Sequence, residues 1–110
     1  MNYCKLTVLG RVGKVEEIKT IDREKLSKVL NFSVAYNRSK KNQHGEYESE
    51  VTWYQCSLWN KQAEYWCNKL NIGDEVLVEG EPSIIQSESK FLSKIKVESI
   101  KWIPKRSHLE

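Results

Sequence analysis

The chain has 110 residues, 30% of them charged and 39% hydrophobic, with a formal net charge of +3. That length suits one domain with its own core, needing neither disulfide nor metal, and the balance excludes a disordered chain. No apolar run approaches the roughly 20 residues of a membrane helix, and 18 basic against 15 acidic residues is too mild an excess to identify a polyanionic partner unaided.

At the start, Cys4, Leu6 and Val8 alternate with Tyr3, Lys5 and Thr7. This is the pattern of a half-buried strand, without the apolar stretch of a signal peptide, so a cytoplasmic protein is expected. Gly10 and Gly13 bracket Arg11-Val12 and predict a bend or bulge. Strand character resumes weakly over 15–21, and the charged segment 22–28 reads as a loop tip. Alternation returns over 29–36, with Leu30, Phe32, Val34 and Tyr36 on one side. The polar stretch 37–50, with His44-Gly45-Glu46 as its turn, predicts a long, flexible hairpin tip carrying Arg38, Lys40 and Lys41. A third strand runs from Val51 to Trp59.

Lys61 to Leu70 is the one convincing helix, because Ala63, Trp66, Cys67 and Leu70 form a single apolar stripe. Asn60 is the expected N-cap, and Gly73 or Asn71 the terminator. Glu75–Glu79 reads as a short buried strand ended by Gly80 and Pro82, and a last strand spans about 91–103. Three strands, a helix and two strands give an all-β fold, a five-stranded OB-fold barrel with one helix between strands 3 and 4. The domain is taken as residues 1–105, with 106–110 a tail whose Leu-Glu end has the look of a cloning scar.

Cys4, Cys56 and Cys67 are odd in number, widely spaced and without a C-x-x-C pair, so buried or half-buried free thiols are expected. His44 and His108 lie far from all three, and no metal site is read. Catalytic patterns are missing too. Gly10-Arg-Val-Gly13 lacks the ending of a phosphate loop, no serine sits in a nucleophile elbow, and Glu79 and Glu81 read as solvated. The chain is read as no enzyme, with no catalytic residue and no cofactor.

The informative segment is Val51–Trp59. Period two sends Thr52, Tyr54, Cys56 and Leu58 to the core and Trp53, Gln55, Ser57 and Trp59 outward. On a core face the amide and hydroxyl between two indoles would need buried partners; on an exposed platform they need none. Bases stacking on such indoles gain roughly 1–3 kcal/mol each. Arg38, Lys40 and Lys41 would neutralise phosphates beside that wall, and Tyr47 would add a ring, while Glu46, Glu48 and Glu50 dilute the local field.

Four segments then carry a resemblance: Leu9-Gly-Arg11, Phe32-Ser-Val-Ala-Tyr-Asn-Arg38, Trp59-Asn-Lys-Gln-Ala-Glu64 and Gly73-Asp-Glu-Val-Leu-Val-Glu-Gly80. Together, over residues 2 to about 105, the chain resembles bacterial single-stranded DNA-binding proteins. The resemblance implies OB barrels that assemble as homo-oligomers, dimer or tetramer, and bind single-stranded DNA with little sequence preference in replication, recombination or repair. It implies stacking by Trp53 and Trp59, with Arg38 and the following lysines on the hairpin that embraces DNA. The expected binding set is Trp53, Trp59 and Tyr47 for bases and Arg38, Lys40, Lys41, Lys61 and Arg11 for phosphates. No membrane partner is expected.

The chain also departs from that family. Where the family carries an arginine-rich segment with a further aromatic, this chain reads Glu81-Pro-Ser-Ile-Ile-Gln-Ser-Glu-Ser89, with no base until Lys90. Weaker DNA binding is expected. No linker and acidic tip follow, so tail-mediated recruitment of replication proteins is not expected. Short members of this kind include primosomal, cyanobacterial and plastid relatives. The competing reading is an OB-fold protein-interaction module with weak or lost DNA binding, its exposed aromatics anchoring a protein. Tyr3, Lys5 and Thr7 form an outward face available for packing across a two-fold axis.

Overall fold

Period-two stretches become strands, and a short helix plugs the sheet they form. The elements are β1 (Leu6–Val15), β2 (Lys19–Asp22), β3 (Ser27–Lys41), β4 (Tyr47–Trp59), α1 (Lys61–Trp66), β5 (Glu75–Ser87) and β6 (Lys90–Trp102). This computed structural model describes residues 2–22 and 24–104; the expected domain end at 105 and the tail 106–110 lie outside the described residues. The strand order is β1-β5-β6-β4-β3-β2, and an additional pairing of β1 with β3 closes the barrel. Because β2 merely continues the first strand along the start of β3, pairing Lys19 with Val29, the five-stranded OB plan holds.

A bend lets β1 serve two neighbours. Its first half pairs with β5, Leu6 opposite Gly80 through Arg11 opposite Glu75. Its second half pairs with β3, and the register slips between Val12 and Lys14. The predicted bulge is therefore centred on Gly13. Inside the barrel, Val12, Leu30, Phe32, Val34, Cys56, Leu58, Val76, Val78 and Ile95 are each at most 2% exposed. Each such branched or aromatic side chain contributes about 1.5–3 kcal/mol relative to exposure. Ala63, Trp66 and Leu70 from the helical segment join the same core. Burial pushes the Cys56 thiol up to about 12, so it stays protonated and inert.

Five expectations need correction. The hairpin over 37–50 is a paired ribbon rather than a loose tip: β3 and β4 stay in register out to Lys41 opposite Tyr47. Beyond the barrel the ribbon has no core to cover, so apart from Tyr47 at its tip its residues are mostly polar on both faces and hydrophobic alternation disappears. What pairs them instead is the ladder, cross-strand opposites such as Arg38 against Glu50 in register, and the Lys40–Glu50 ion pair at 3.9 Å. The turn is built by Asn42, whose Oδ1 accepts from the His44 and Glu46 backbone N–H groups.

The helix ends at Trp66 rather than Leu70, and the rest of the stripe reaches the core through a turn whose Leu70 N–H donates to the Trp66 carbonyl at 3.1 Å. Asn60 does not cap it. The abrupt turn from β4 gives Asn60 a φ of 54°, and its Oδ1 accepts from the Lys28 N–H instead. The helix is moored by side chains: Lys28 Nζ to Glu64 Oε1 at 2.8 Å, and Gln62 Nε2 donating to the Glu98 carbonyl. The fourth strand does not stop at Gly80. The register slips between Glu79 and Gly80, and β5 then continues to Ser87. Pro82 is tolerated because Gly80 is the last residue of β5 paired with β1, leaving that side open. For the same reason residues 3–5 find no strand partner, and Cys4 is exposed rather than half-buried. Lys5 is held by ion pairing to Glu79 at 3.1 Å, and Thr7 Oγ1 donates to the same carboxylate at 2.8 Å.

A Cβ at position 80 would collide with the Lys96 carbonyl oxygen of β6. Gly80→Ala must therefore push β5 and β6 apart. We expect a loss of about 1–3 kcal/mol, read as a lower midpoint in urea unfolding; an unchanged midpoint would show that the ladder yields freely at this point.

Candidate nucleic-acid interface

The wall expected from period two is present, but its inward set is cut short: Thr52, expected in the core, is exposed, because β6 pairs with β4 only from Tyr54 to Ser57. Tyr54 is half-buried and Cys56 and Leu58 are buried, while Trp53 and Trp59 are 51% and 36% exposed. Gln55 and Ser57 lie between them, partly buried, and Ser57 Oγ donates to Asn31 Oδ1 on β3 at 2.7 Å. At about 3.4 Å per residue the two indole-bearing positions are roughly 20 Å apart along β4. Trp53 is seated on the β1 bulge: a Cβ on Gly13 would overlap the six-membered edge of its ring. The glycine that bends β1 thus also makes room for the indole.

The remaining tryptophans have another task. Trp66 is buried, and Trp102 packs edge-on against it with ring centroids 4.7 Å apart. The Trp102 Nε1–H donates to Asp74 Oδ2 at 3.2 Å. These two close the helix end of the barrel.

Strand alternation sorts the hairpin residues. Lys41 and Tyr47 are register partners at its tip, and Tyr47 lies an even number of residues from Trp53 and Trp59, on their face. Arg38 and Lys40 fall on the opposite face with Glu48 and Glu50, so the structure does not bring them beside the indoles as expected. Arg11 stands across Ala35 from Trp53. Its guanidinium is already engaged, 3.8 Å from Glu75 Oε2 and donating to the Gly73 carbonyl at 3.2 Å. Lys61 is exposed at the first residue of α1, two positions beyond Trp59.

Three lysines next to the wall escaped the sequence reading. β6 runs parallel to β4 with Lys94 beside Gln55 and Lys96 beside Ser57. On the other flank Lys14 pairs with Ser33, which pairs with Gln55. The signal was available for β6, where Lys94 and Lys96 alternate with the buried Ile95 and Val97. What could not be read was which strand would lie beside β4. Shallow clefts join these groups across the wall, one along Lys14, Ser33 and Gln55, the next along Asn31, Gln55, Ser57 and Lys94, a third along Trp59, Ser83 and Lys96. The modest net charge hides this local concentration of cations on the aromatic face.

With the barrel, the aromatic wall and the flanking lysines in place, comparison with known proteins is decisive. A model of the single-strand binding protein family matches residues 3–99. The chain belongs to the single-strand binding protein family. It is 36% identical over 88 residues to the single-stranded DNA-binding protein of Aquifex aeolicus, a match covering 74% of this chain and 60% of that protein. It is 28% identical to single-stranded DNA-binding protein 2 of Listeria innocua, over 96% of this chain and 67% of the relative. The chain therefore spans about two thirds or less of these relatives. The small single-stranded DNA-binding protein from Streptomyces coelicolor has the same fold, with a TM-score of 0.71 at 16% identity over 94% of this chain and 95% of that one. The Plasmodium falciparum family member, solved in complex with single-stranded DNA, gives 0.74 at 22% identity over 94% of this chain and 100% of that one. Both likenesses concern the barrel.

The seat of Trp53 can be tested in this family member without any ligand. A Gly13→Val side chain must expel the indole from the bulge. Acrylamide should then quench tryptophan emission more strongly than in the wild type, and this excess should vanish in Gly13→Val combined with Trp53→Phe. Equal quenching in all three would mean that the ring does not depend on Gly13.

Proposed function

We propose that this chain binds single-stranded DNA, as its relatives' names say of them, and that it does so with little sequence preference, in the replication, recombination or repair of DNA in the cytoplasm. The observation that carries the reading is the aromatic face: Tyr47, Trp53 and Trp59 along β4, with Lys41, Lys14, Lys94 and Lys96 beside them. Exposed indoles accept any base, because every base has a π-face, and lysines neutralise phosphates without reading sequence. Arg11 and Lys61 extend the cationic border, and Arg38 and Lys40 engage a strand that passes round the ribbon.

Titration with a thymidine oligonucleotide of several tens of nucleotides tests this through tryptophan emission. Quenching should be strong at low salt, and Trp59→Ala should weaken binding by about 1–3 kcal/mol. With four lysines on phosphates, log K should fall with log salt at a slope of roughly −3. A duplex of equal length should compete poorly. Absence of binding at low salt would refute the reading and favour the protein-interaction module.

Self-association belongs to the same proposal. Ile84, Ile85, Phe91 and Leu92 are exposed on the two-stranded arm at the β5–β6 turn, which is unusual for a lone domain of this size. Sedimentation should show a dimer or tetramer in the wild type and a smaller species in Ile84→Glu with Phe91→Glu; a monomeric wild type at tens of micromolar would remove this part of the proposal.

A further inference from the structure

Between the two indoles the wall carries no aromatic ring. Bases crossing that interval meet polar side chains instead: Asn31, Gln55 and Ser57, with Lys14 and Lys94 at the flanks and Ser33 buried beneath. One further group reaches this floor from beyond the end of β1. Glu16 is half-buried, its backbone N–H donates to the Asn31 carbonyl at 2.9 Å, and it lines both of the clefts that meet at Gln55. Among the residues lining the three clefts of the wall it is the one acid.

A carboxylate in a groove built for phosphates is a liability for non-specific binding, since it repels the backbone. Its chemistry suits a different partner. An ionised carboxylate only accepts hydrogen bonds; of the two pyrimidines, cytosine offers it the exocyclic N4 amine, whereas thymine's one donor, N3–H, lies between two carbonyl oxygens that repel an anion. Gln55 beside it carries both an amide donor and an acceptor. Asn31 has its Oδ1 committed to Ser57 at 2.7 Å, a bond that leaves the Nδ2 donors free to meet a base carbonyl. One Glu16 oxygen, Oε1, stands 3.4 Å from Lys19 Nζ at the surface, and that pairing leaves Oε2 to a ligand.

We infer that the polar floor between Trp53 and Trp59 reads base edges, with Glu16 accepting from an exocyclic amine, so that the chain favours cytosine over thymine. This rests on the single-strand binding proposed above and refines it. The effect is modest because the site is partly solvated and only the bases at the floor are read. The lysines and indoles still supply most of the affinity.

Cytosine and thymine oligomers of equal length separate the two ideas, because both pyrimidines stack weakly and their edges differ in donors and acceptors at positions 3 and 4, with a uracil oligomer as the control for thymine's 5-methyl group. At pH 7.5 the wild type should bind the cytosine oligomer about 5-fold more tightly than the thymine oligomer, the scale of one partly solvated charge-assisted hydrogen bond. Glu16→Gln removes the charge and keeps the shape. Affinity for the thymine oligomer should rise as backbone repulsion is relieved, and the ratio should fall to about 1. Equal wild-type affinities, or a ratio that survives Glu16→Gln, would overturn the inference while leaving single-strand binding intact. A rise in affinity for both oligomers by the same factor would reduce Glu16 to a repulsive charge, which also overturns it. Binding of neither oligomer would refute the parent reading, and the base reader with it.

Discussion

The barrel depends on β1 having two partners. A flat strand cannot hydrogen-bond with β5 along its first half and β3 along its second, so the strand must turn within a few residues. Glycine makes that turn possible. A side chain at Gly10 would strike the Ala35 carbonyl, and one at Gly13 would strike the Trp53 ring. The same absence of a side chain that lets the sheet close also creates the seat for an indole on the outer surface. Closure and site are therefore one structural event: loosening β1 at the bulge would open the barrel and displace the ring together.

Burial then decides the roles of chemically identical residues. Trp66 and Trp102 meet edge to face where the helical segment covers the barrel end, and their area stabilises the fold. Trp53 and Trp59 sit on the other side of the sheet, separated by side chains that can hydrogen-bond to solvent or ligand. Electrostatics follows the same division. Thr7, and after it Lys5, hold the Glu79 carboxyl below its usual range by hydrogen bonding, and Lys28 does the same to Glu64. Both groups are exposed, so these contacts orient strands and helix more than they stabilise them. The lysines on the aromatic face have fewer acids near them. An almost balanced net charge can thus leave one face cationic.

The core strands were legible because the inner surface of a barrel demands period two. Leu30, Phe32 and Val34, or Cys56 and Leu58, can alternate in that way only on a half-buried sheet. Where the chain leaves the barrel that demand lapses. The ribbon beyond Asn37 is as regular as the strands it extends, yet apart from Tyr47 it is polar on both faces and reads as a loop. Beyond Gly80 the pattern fails differently: Pro82 and the small polar residues look like a terminator, and only the loss of the β1 partner on that side makes a strand possible. The tryptophan wall was legible because it belongs to one strand. Lys14, Lys94 and Lys96 were not, because they reach it through a parallel neighbour and a bulged strand, and no local pattern encodes which strands become adjacent.

The hairpin shows how register alone reorganises a functional reading. Arg38, Lys40 and Lys41 are nearly contiguous and look like a single cationic patch. Pairing in a ribbon divides them: Lys41 shares the face of Tyr47 and the indoles, and the other two look the opposite way among Glu48 and Glu50. A two-stranded ribbon also twists more strongly than a sheet held on both sides. Its aromatic face therefore rotates along the ribbon toward the tip rather than continuing flat from the barrel wall. On the proposed reading, a nucleic acid strand that keeps contact from Trp59 through Trp53 to Tyr47 rotates with it, and only such a path carries its phosphates round toward the opposite face, where Arg38 and Lys40 lie.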